Sequence, residues 1–188
     1  MTLSPNTVPK AVTPEVLAFC QSISNAEPMF ITSVPVQGAV QSFCFENVQR
    51  KIRRSGGTTA YGWAIWHIPG LYFEAEHHGV WRNKAGGLID VSPQLGRRRR
   101  LLFLPDERAG YDPRHPRQNI MGPDGDSPEA HELAELGNRR HSVMMRCRVP
   151  GTPEIRLYET DQLELAQIDQ RIQALLAVAS TGNSYKSG

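Results

Sequence analysis

Residues 41–93 read QSFCFENVQRKIRRSGGTTAYGWAIWHIPGLYFEAEHHGVWRNKAGGLIDVSP, and this stretch decides the fold. Apolar side chains recur at helical spacing between Ser42 and Gly56-Gly57, which predicts a helix over residues 42–54 with Ser42 as its N-cap. Turn sequences separate three runs that are rich in β-branched and aromatic residues and therefore predict strands, at residues 58–67, 71–81 and 87–92. We expect the helix to pack on an antiparallel sheet.

Segments on either side of this stretch predict further helices. Thr13-Pro14 places a capping side chain before a proline, which predicts a helix over residues 14–24. Ser127-Pro128 repeats that signature and predicts a helix that begins at residue 128. A last helix begins at Asp161 and carries an apolar stripe at helical spacing, formed by Leu165, Ile168, Ile172, Leu175, Leu176 and Ala179.

The chain as a whole is predicted to form a single α+β domain over residues 13–180. Its 188 residues are enough to bury about two-thirds of the unfolded surface. Residues 29–36 predict a short strand or an extended lead-in, and residues 101–104 predict another strand. The remaining parts are a flexible arm at 1–12, a core at 41–104, an irregular loop at 105–127, C-terminal helices at 128–180 and a flexible tail at 181–188.

Composition and charge limit the classes of partner. Hydrophobic residues make up 39% of the chain and charged residues 21%, which is typical of globular proteins. The net charge of +2 gives no strong field toward nucleic acid or an anionic membrane, so both partners are unexpected. No apolar run approaches the ~20 residues that span a bilayer.

The cysteines and the N-terminal residues indicate a cytoplasmic protein. Cys20, Cys44 and Cys147 cannot all pair and lack the C-x-x-C spacing of a structural zinc site, which favours free thiols in a reducing compartment. The first ten residues lack the basic and apolar regions of a secretion signal. We predict no metal ion and no cofactor.

Three side chains within the deciding stretch suit nucleophilic catalysis. Cys44 lies in the first turn of the predicted helix, where unpaired backbone N–H groups favour a thiolate. His77 and His78 point to opposite faces of their strand, so only one of them can serve Cys44 as a base. Asp90 lies in an apolar strand, where a charge needs a partner, and it suits the role of orienting a histidine.

The order of these motifs resembles a known group of enzymes. A cysteine opens a helix, the strand sequence HGVW follows at residues 78–81, and DVSP follows at residues 90–93. This series resembles the transglutaminase-like and NlpC/P60-like branches of the papain-like cysteine enzymes, in which the motifs often read H-A-W and D-P or D-x-T. The resemblance covers residues 41–93 and selects His78 rather than His77.

The resemblance implies a papain-like fold and an enzyme that is a thiol hydrolase or acyltransferase. Cys44 would attack a peptide, amide or ester substrate, His78 would carry the proton and Asp90 would orient His78. A glutamine before the cysteine often supplies the oxyanion donor in these enzymes. The candidates for oxyanion or substrate contacts are Gln41, Gln37, Asn47 and Trp81.

Several of these residues also fit other roles. Cys44, His77, His78 and Asp90 are all zinc-capable, although neighbouring strand histidines rarely share an ion. Glu74 and Glu76 share the strand face of His78 and suit either acid–base work or a solvated face. The strand tryptophans suit either a substrate platform or the core, and we assign two of the three to the core: Trp63, Trp66 and Trp81.

Two alternative functions remain open from the sequence. A papain-like frame can serve as a non-catalytic adaptor or inhibitor, with the loop at 105–127 as its binding surface. The arginine run at 97–100 can bind phosphate or nucleic acid, although exposed loop charge accounts for it more simply. The oligomeric state does not follow from these patterns.

Overall fold

The computed structural model describes residues 7–94, 99–149, 152 and 154–183. These residues divide into two compact units. The barrel unit comprises the described residues up to His67 together with Glu74–Tyr111, and the helical unit comprises Ile68–Phe73 with the described residues from Asp112 onward. The predicted single domain over 13–180 stays a prediction.

The barrel unit contains two helices and five strands, most of them close to their predicted positions. The central helix confirms its prediction, and the strand after residue 58 extends one residue further than expected. The bounds are α1 (Pro14–Gln21), β1 (Met29–Ser33), α2 (Cys44–Ser55), β2 (Thr58–Ile68), β3 (Tyr72–Arg82), β4 (Leu88–Asp90) and β5 (Arg100–Pro105).

The sheet is mixed, which corrects the antiparallel sheet that we predicted. Its strand order is β2-β5-β1-β4-β3, and β3 pairs back to β2, so the five strands close into a barrel-like ring. β1 and β4 run parallel, with Ser33 opposite Asp90. The β1–β5, β2–β5 and β3–β4 pairs are antiparallel. β1 precedes α2 in the chain, so a crossover rather than a hairpin brings it beside β4.

Apolar side chains fill the inside of the ring. Trp66, Val80 and Phe103 come from three different strands, and each is at most 7% exposed. Consecutive residues of β2 and β5 are buried, so both faces of these strands are covered, which explains why they read as near-continuous apolar sequence. Val8 packs against the same cluster.

Residues just after the N-terminus are held on the barrel unit. Thr7 exchanges backbone hydrogen bonds with His67 in β2, and its hydroxyl donates to the same carbonyl at 2.8 Å. Arg100 donates to the carbonyl of Lys10 at 2.9 Å. The later part of the predicted flexible arm is therefore bonded to the sheet.

The helical unit contains a short strand and two long helices. Their bounds are β6 (Ile120–Pro123), α3 (Pro128–Arg146) and α4 (Glu159–Asn183). β6 lies inside the predicted irregular loop at 105–127 and corrects it. The strand follows β3 in the sheet order, and the first two residues of β3 belong to this same unit.

The predicted stripe on α4 faces the core of the helical unit. Its buried members are Leu165, Ile168, Ile172 and Leu175, while Leu176 is partly buried. The side chain of Ala179, the last predicted member, lies outside the described residues. α4 continues to Asn183, which corrects the start of the flexible tail predicted at 181–188, and residues 184–188 lie outside the described residues.

Caps fix the starts of two helices as the sequence predicted. Thr13 accepts a hydrogen bond from the N–H of Val16 at the start of α1, and Ser127 accepts one from Ala130 at the start of α3. Among the described residues, no helix joins the length and the apolar character that crossing a bilayer requires.

Candidate active site

Cys44 is the first residue of α2, which confirms its predicted place in the first turn. Ser42 is not the N-cap, because its backbone takes φ 65°, whereas a capping residue needs extended backbone. Phe43 occupies the cap position without a side-chain bond. A left-handed backbone is unusual for serine, and here it turns the chain sharply just before the cysteine.

Asn47 holds the segment that leads into Cys44. Its side-chain oxygen accepts from the N–H of Val40 at 3.0 Å, and its Nδ2 donates to the carbonyl of Val40 at 2.7 Å. Nδ2 also donates to the hydroxyl of Ser92 at 3.2 Å. The amide of Asn47 is thus occupied and buried, so its contacts support a positioning role rather than the oxyanion contact that we predicted.

His78 and Asp90 meet inside the barrel unit. His78 Nε2 lies 3.2 Å from Asp90 Oδ1, and the two side chains are almost completely buried. β3 and β4 are antiparallel neighbours, which brings the two residues onto one side of the sheet. The other ring nitrogen, Nδ1, has no hydrogen-bond partner among the described residues.

Three further donors surround the carboxylate of Asp90. The hydroxyl of Ser33 donates to Oδ2 at 2.7 Å, and the side-chain amide of Gln94 donates to the same oxygen at 2.7 Å. The N–H of Ser92 donates to Oδ1 at 3.0 Å. Sequence reasoning missed Ser33 and Gln94, although a serine within the apolar run of β1 was a signal that an inward polar group needed a partner.

Electrostatic effects favour an imidazolium–carboxylate pair. Burial acts to lower the pKa of His78, but the nearby Cys44 sulfur and the bond to Asp90 outweigh it, so the pKa of His78 is raised well above its ordinary value. Burial acts to raise the pKa of Asp90, but hydrogen bonds from His78, Ser33 and Gln94 outweigh it and lower the pKa of that carboxyl. The effect of Cys44 on this pKa indicates that its sulfur lies near the ring, although Nδ1 makes no hydrogen bond to a described residue.

His77 faces different surroundings, as the alternation along the strand predicts. Its Nε2 lies 2.7 Å from the carbonyl of Ala109, and its ring lies among Phe45, Trp63 and Tyr111. The strand therefore separates the two histidines, and His78 is the one whose contact with Asp90 is described. Among the described residues, no group of three His, Cys, Asp or Glu side chains could hold a metal ion.

Glu76 adds a second carboxyl near the imidazole. Trp66 Nε1 donates to Glu76 Oε2 at 2.8 Å. Burial raises the pKa of Glu76, although the charge of His78 and the bond from Trp66 act to lower it. Trp66 and Trp63 are buried, while Trp81 is partly buried and donates from Nε1 to the carbonyl of Gly56 at 2.8 Å.

The other predicted contact residues make no described hydrogen bond to Cys44, His78 or Asp90. Gln37 and Gln41 are exposed, and neither side chain bonds to a described residue. Within the arginine run at 97–100, Arg97 and Arg98 lie outside the described residues. Arg100 lies over the ring of Phe30, 4.2 Å from its centroid, in addition to its backbone bonds.

Comparison with known proteins gives no independent assignment. Searches against family models, curated proteins and solved structures find no match to this chain. The papain-like resemblance stays a prediction. It is carried by Cys44, His78 and Asp90 and by the order in which they occur.

Proposed function

We propose that this protein is a thiol hydrolase or acyltransferase that works through a covalent acyl-enzyme. The supporting observations are the buried 3.2 Å contact between His78 and Asp90 and the position of Cys44 at the first residue of α2, from which it helps to raise the pKa of His78. A base that is oriented by a carboxylate and lies next to a thiol is the arrangement that activates a sulfur nucleophile.

In the first half of the reaction, the Cys44 thiolate attacks the acyl carbon of an amide or ester. The carbon–oxygen double bond opens to an oxyanion, then re-forms as the bond to the leaving group breaks. The His78 imidazolium gives its proton to the departing nitrogen or oxygen. The products of this half are a thioester on Cys44 and a neutral His78.

In the second half, water or an amine resolves the thioester. Neutral His78 takes a proton from the incoming nucleophile as it attacks, and the bond to sulfur breaks. The sulfur leaves as a thiolate that is again paired with the imidazolium. Asp90 stays ionised throughout and holds the ring, because four donors stabilise its charge.

The backbone N–H of Cys44 is the proposed oxyanion donor. The first N–H groups of a helix have no acceptor within the helix, so they point out of its tip and can stabilise a developing negative charge. Asn47 keeps this tip in place through its bonds to Val40.

Trapping of the acyl-enzyme tests the proposal. The protein is mixed with p-nitrophenyl acetate, quenched in acid and examined by intact-mass and peptide mass spectrometry. We expect one acetyl group on Cys44 and a burst of p-nitrophenol equal to the enzyme concentration. Cys44→Ala should lose both signals, and His78→Gln should slow acylation by about a hundredfold or more.

The matched control is Cys20→Ala, because Cys20 is a buried thiol of the same unit that no site contact involves. This variant should acylate like the wild type. Acetylation spread over Cys20 and Cys147, or unchanged acylation in His78→Gln, would contradict the proposed roles.

A further inference from the structure

A groove of about 310 Å³ runs along α2, outside the triad. One stripe of α2 forms a wall of this groove, through Phe45, Glu46, Gln49 and Arg53, and Thr59 and Tyr61 of β2 contribute to its lining. Clefts of this size hold small molecules or short peptide segments. The groove begins at Phe45, the residue that follows Cys44.

One end of the groove is aromatic. The Phe45 ring stacks on Tyr111 with centroids 3.9 Å apart and planes 8° apart, and the Tyr61 ring lies 6.2 Å from Phe45. Gly79 in β3 leaves the space for Phe45, since a Cβ at that position would lie 2.7 Å from the ring. The aromatic end is therefore held by close packing and is present before any ligand arrives.

The groove also carries two opposite charges at separate places. Glu46 lies in the first turn of α2 and Arg53 in its last turn, which is about 10 Å along the helix axis. Neither side chain makes a hydrogen bond or ion pair with any described residue. By contrast, Arg54 beside it donates to the carbonyl of Gln37 at 3.2 Å. The helix dipole favours these signs, but it does not require both charges to line one groove.

The middle of the groove offers hydrogen bonding. Gln49 Nε2 donates to the hydroxyl of Thr59 at 3.2 Å, which links α2 to β2 and fixes the orientation of the amide. The side-chain oxygen of Gln49 then remains as an acceptor for a ligand N–H.

We propose that this groove binds a zwitterionic aromatic ligand with the length of a di- or tripeptide. Its ammonium group lies at Glu46, its carboxylate at Arg53 and its ring among Phe45, Tyr61 and Tyr111. The guanidinium group of Arg53 can bind a carboxylate through two parallel hydrogen bonds. The aromatic side chains at the other end of the groove can pack favourably against a ring of the ligand. The inference deepens the proposed function and rests on it only in taking this ligand as the substrate or product of the thiol reaction.

Calorimetric titration of four peptides tests the inference. The probes are Gly-Phe-Gly, its N-acetyl form, its C-terminal amide and Gly-Ala-Gly, and each is titrated into the full chain as wild type and as Cys44→Ala. We expect Gly-Phe-Gly to bind best. Loss of the ammonium, the carboxylate or the ring should each weaken binding by about three- to tenfold.

Paired variants assign each charge to its residue. Arg53→Gln should weaken binding of free Gly-Phe-Gly and leave binding of its amide unchanged, because that charge is already absent. Glu46→Gln should weaken binding of free Gly-Phe-Gly and leave binding of its N-acetyl form unchanged, because that form lacks the ammonium group. Arg54→Gln is the matched control, since its side chain is bound to Gln37 and does not line the groove, and it should bind all four peptides like the wild type.

Equal affinity for the four peptides, or equal effects of Arg53→Gln and Arg54→Gln, would overturn the groove assignment. Selective peptide binding by both wild type and Cys44→Ala, without acylation of Cys44 by any ester, would support the groove assignment and contradict the proposed thiol chemistry. Acylation of Cys44 without peptide selectivity would support the thiol chemistry and contradict the groove assignment.

Discussion

Asn47 and Val40 are joined by two hydrogen bonds, with the side-chain amide of Asn47 both accepting from and donating to the backbone of Val40. The two bonds resemble the pair of N–H···O hydrogen bonds that opposite residues of two antiparallel strands exchange. It ties the segment before Cys44 to the first turn of the helix that begins at Cys44, and a third bond extends the link to Ser92.

Asn47→Ala should therefore destabilise the protein by about 2–4 kcal/mol, because it removes three bonds around a buried amide. Urea denaturation followed by circular dichroism measures this as a lower midpoint at an unchanged slope. Gln49→Ala on the same helix is the control and should cost less than about 1 kcal/mol, since its amide makes one exposed bond. Equal midpoints in the two variants would contradict the role of Asn47.

Asp90→Asn should lower the pKa of His78. Burial alone lowers that pKa, and the bond and charge of Asp90 are among the effects that raise it. Heteronuclear NMR of ring-labelled histidine follows the titration directly. The control is Asp112→Asn, which removes an exposed carboxylate that pairs with His115 and should leave the pKa of His78 unchanged. An unchanged His78 titration in Asp90→Asn would show that the pair is not an ion pair.

The same pair sets a pH window for stability. The folded pKa of His78 is raised, so its stabilising contribution is complete below the unfolded value of about 6.5 and is lost as pH rises through the folded value. The folded pKa of Asp90 is lowered, so its contribution is complete above about 3.9 and is lost as pH falls through the folded value. The unfolding free energy of wild type minus that of Asp90→Asn should be largest between these limits. A difference that does not vary with pH would contradict this.

Ser33→Ala should shift the acid limb of the pH–rate profile of ester hydrolysis to higher pH. The Ser33 hydroxyl donates to Asp90 and helps to lower its pKa, so its loss raises that pKa. Ser24→Ala is matched to it, because Ser24 is also a buried serine, but its hydroxyl donates to the carbonyl of Pro105. An acid limb that moves equally in both variants would remove the specific role of Ser33.

Cys44 should react with iodoacetamide near neutral pH ahead of the other thiols. Burial raises the pKa of Cys20 to about 12, and burial together with Asp161 raises the pKa of Cys147, so both stay protonated there. Timed labelling and peptide mass spectrometry give the three rates, and labelling in denaturant confirms that all three sites are detected. Cys147 labelling as fast as Cys44 would argue against a selectively activated thiol.

Gly79→Ala should destabilise the barrel unit by about 1–3 kcal/mol, because the new methyl group must displace the Phe45 ring. Thermal unfolding measures the loss. Gly110→Ala places a methyl group where nothing lies within 4 Å, and it should change little. Equal melting temperatures would mean that Phe45 can move away without loss.

Local patterns predicted most elements of the fold. Caps at Thr13 and Ser127 and the spacing of apolar residues in α2 and α4 are properties of short segments, so the sequence reveals them. The parallel pairing of β1 with β4 depends on segments more than fifty residues apart, for which the strand pattern carries no signal. β6 was hidden because its four residues include glycine and proline, which read as loop.

For the site as well, the local sequence predicted individual residues but not the contacts between distant segments. An aspartate in an apolar strand indicated a buried partner, and the structure supplies His78. The catalytic use of that pair stays a prediction. Ser33 and Gln94 reach Asp90 through the strand register and the chain after β4, which local sequence does not specify.

The surroundings of Asp90 depend on the closure of the five-stranded ring. Its donors are contributed by segments as early as residue 33 and as late as residue 94. Before these segments come together in the ring, the carboxylate lacks its donors, so it should titrate as an ordinary hydrated acid. Under the proposed function, a chain that is cut between these segments should therefore be unable to activate Cys44.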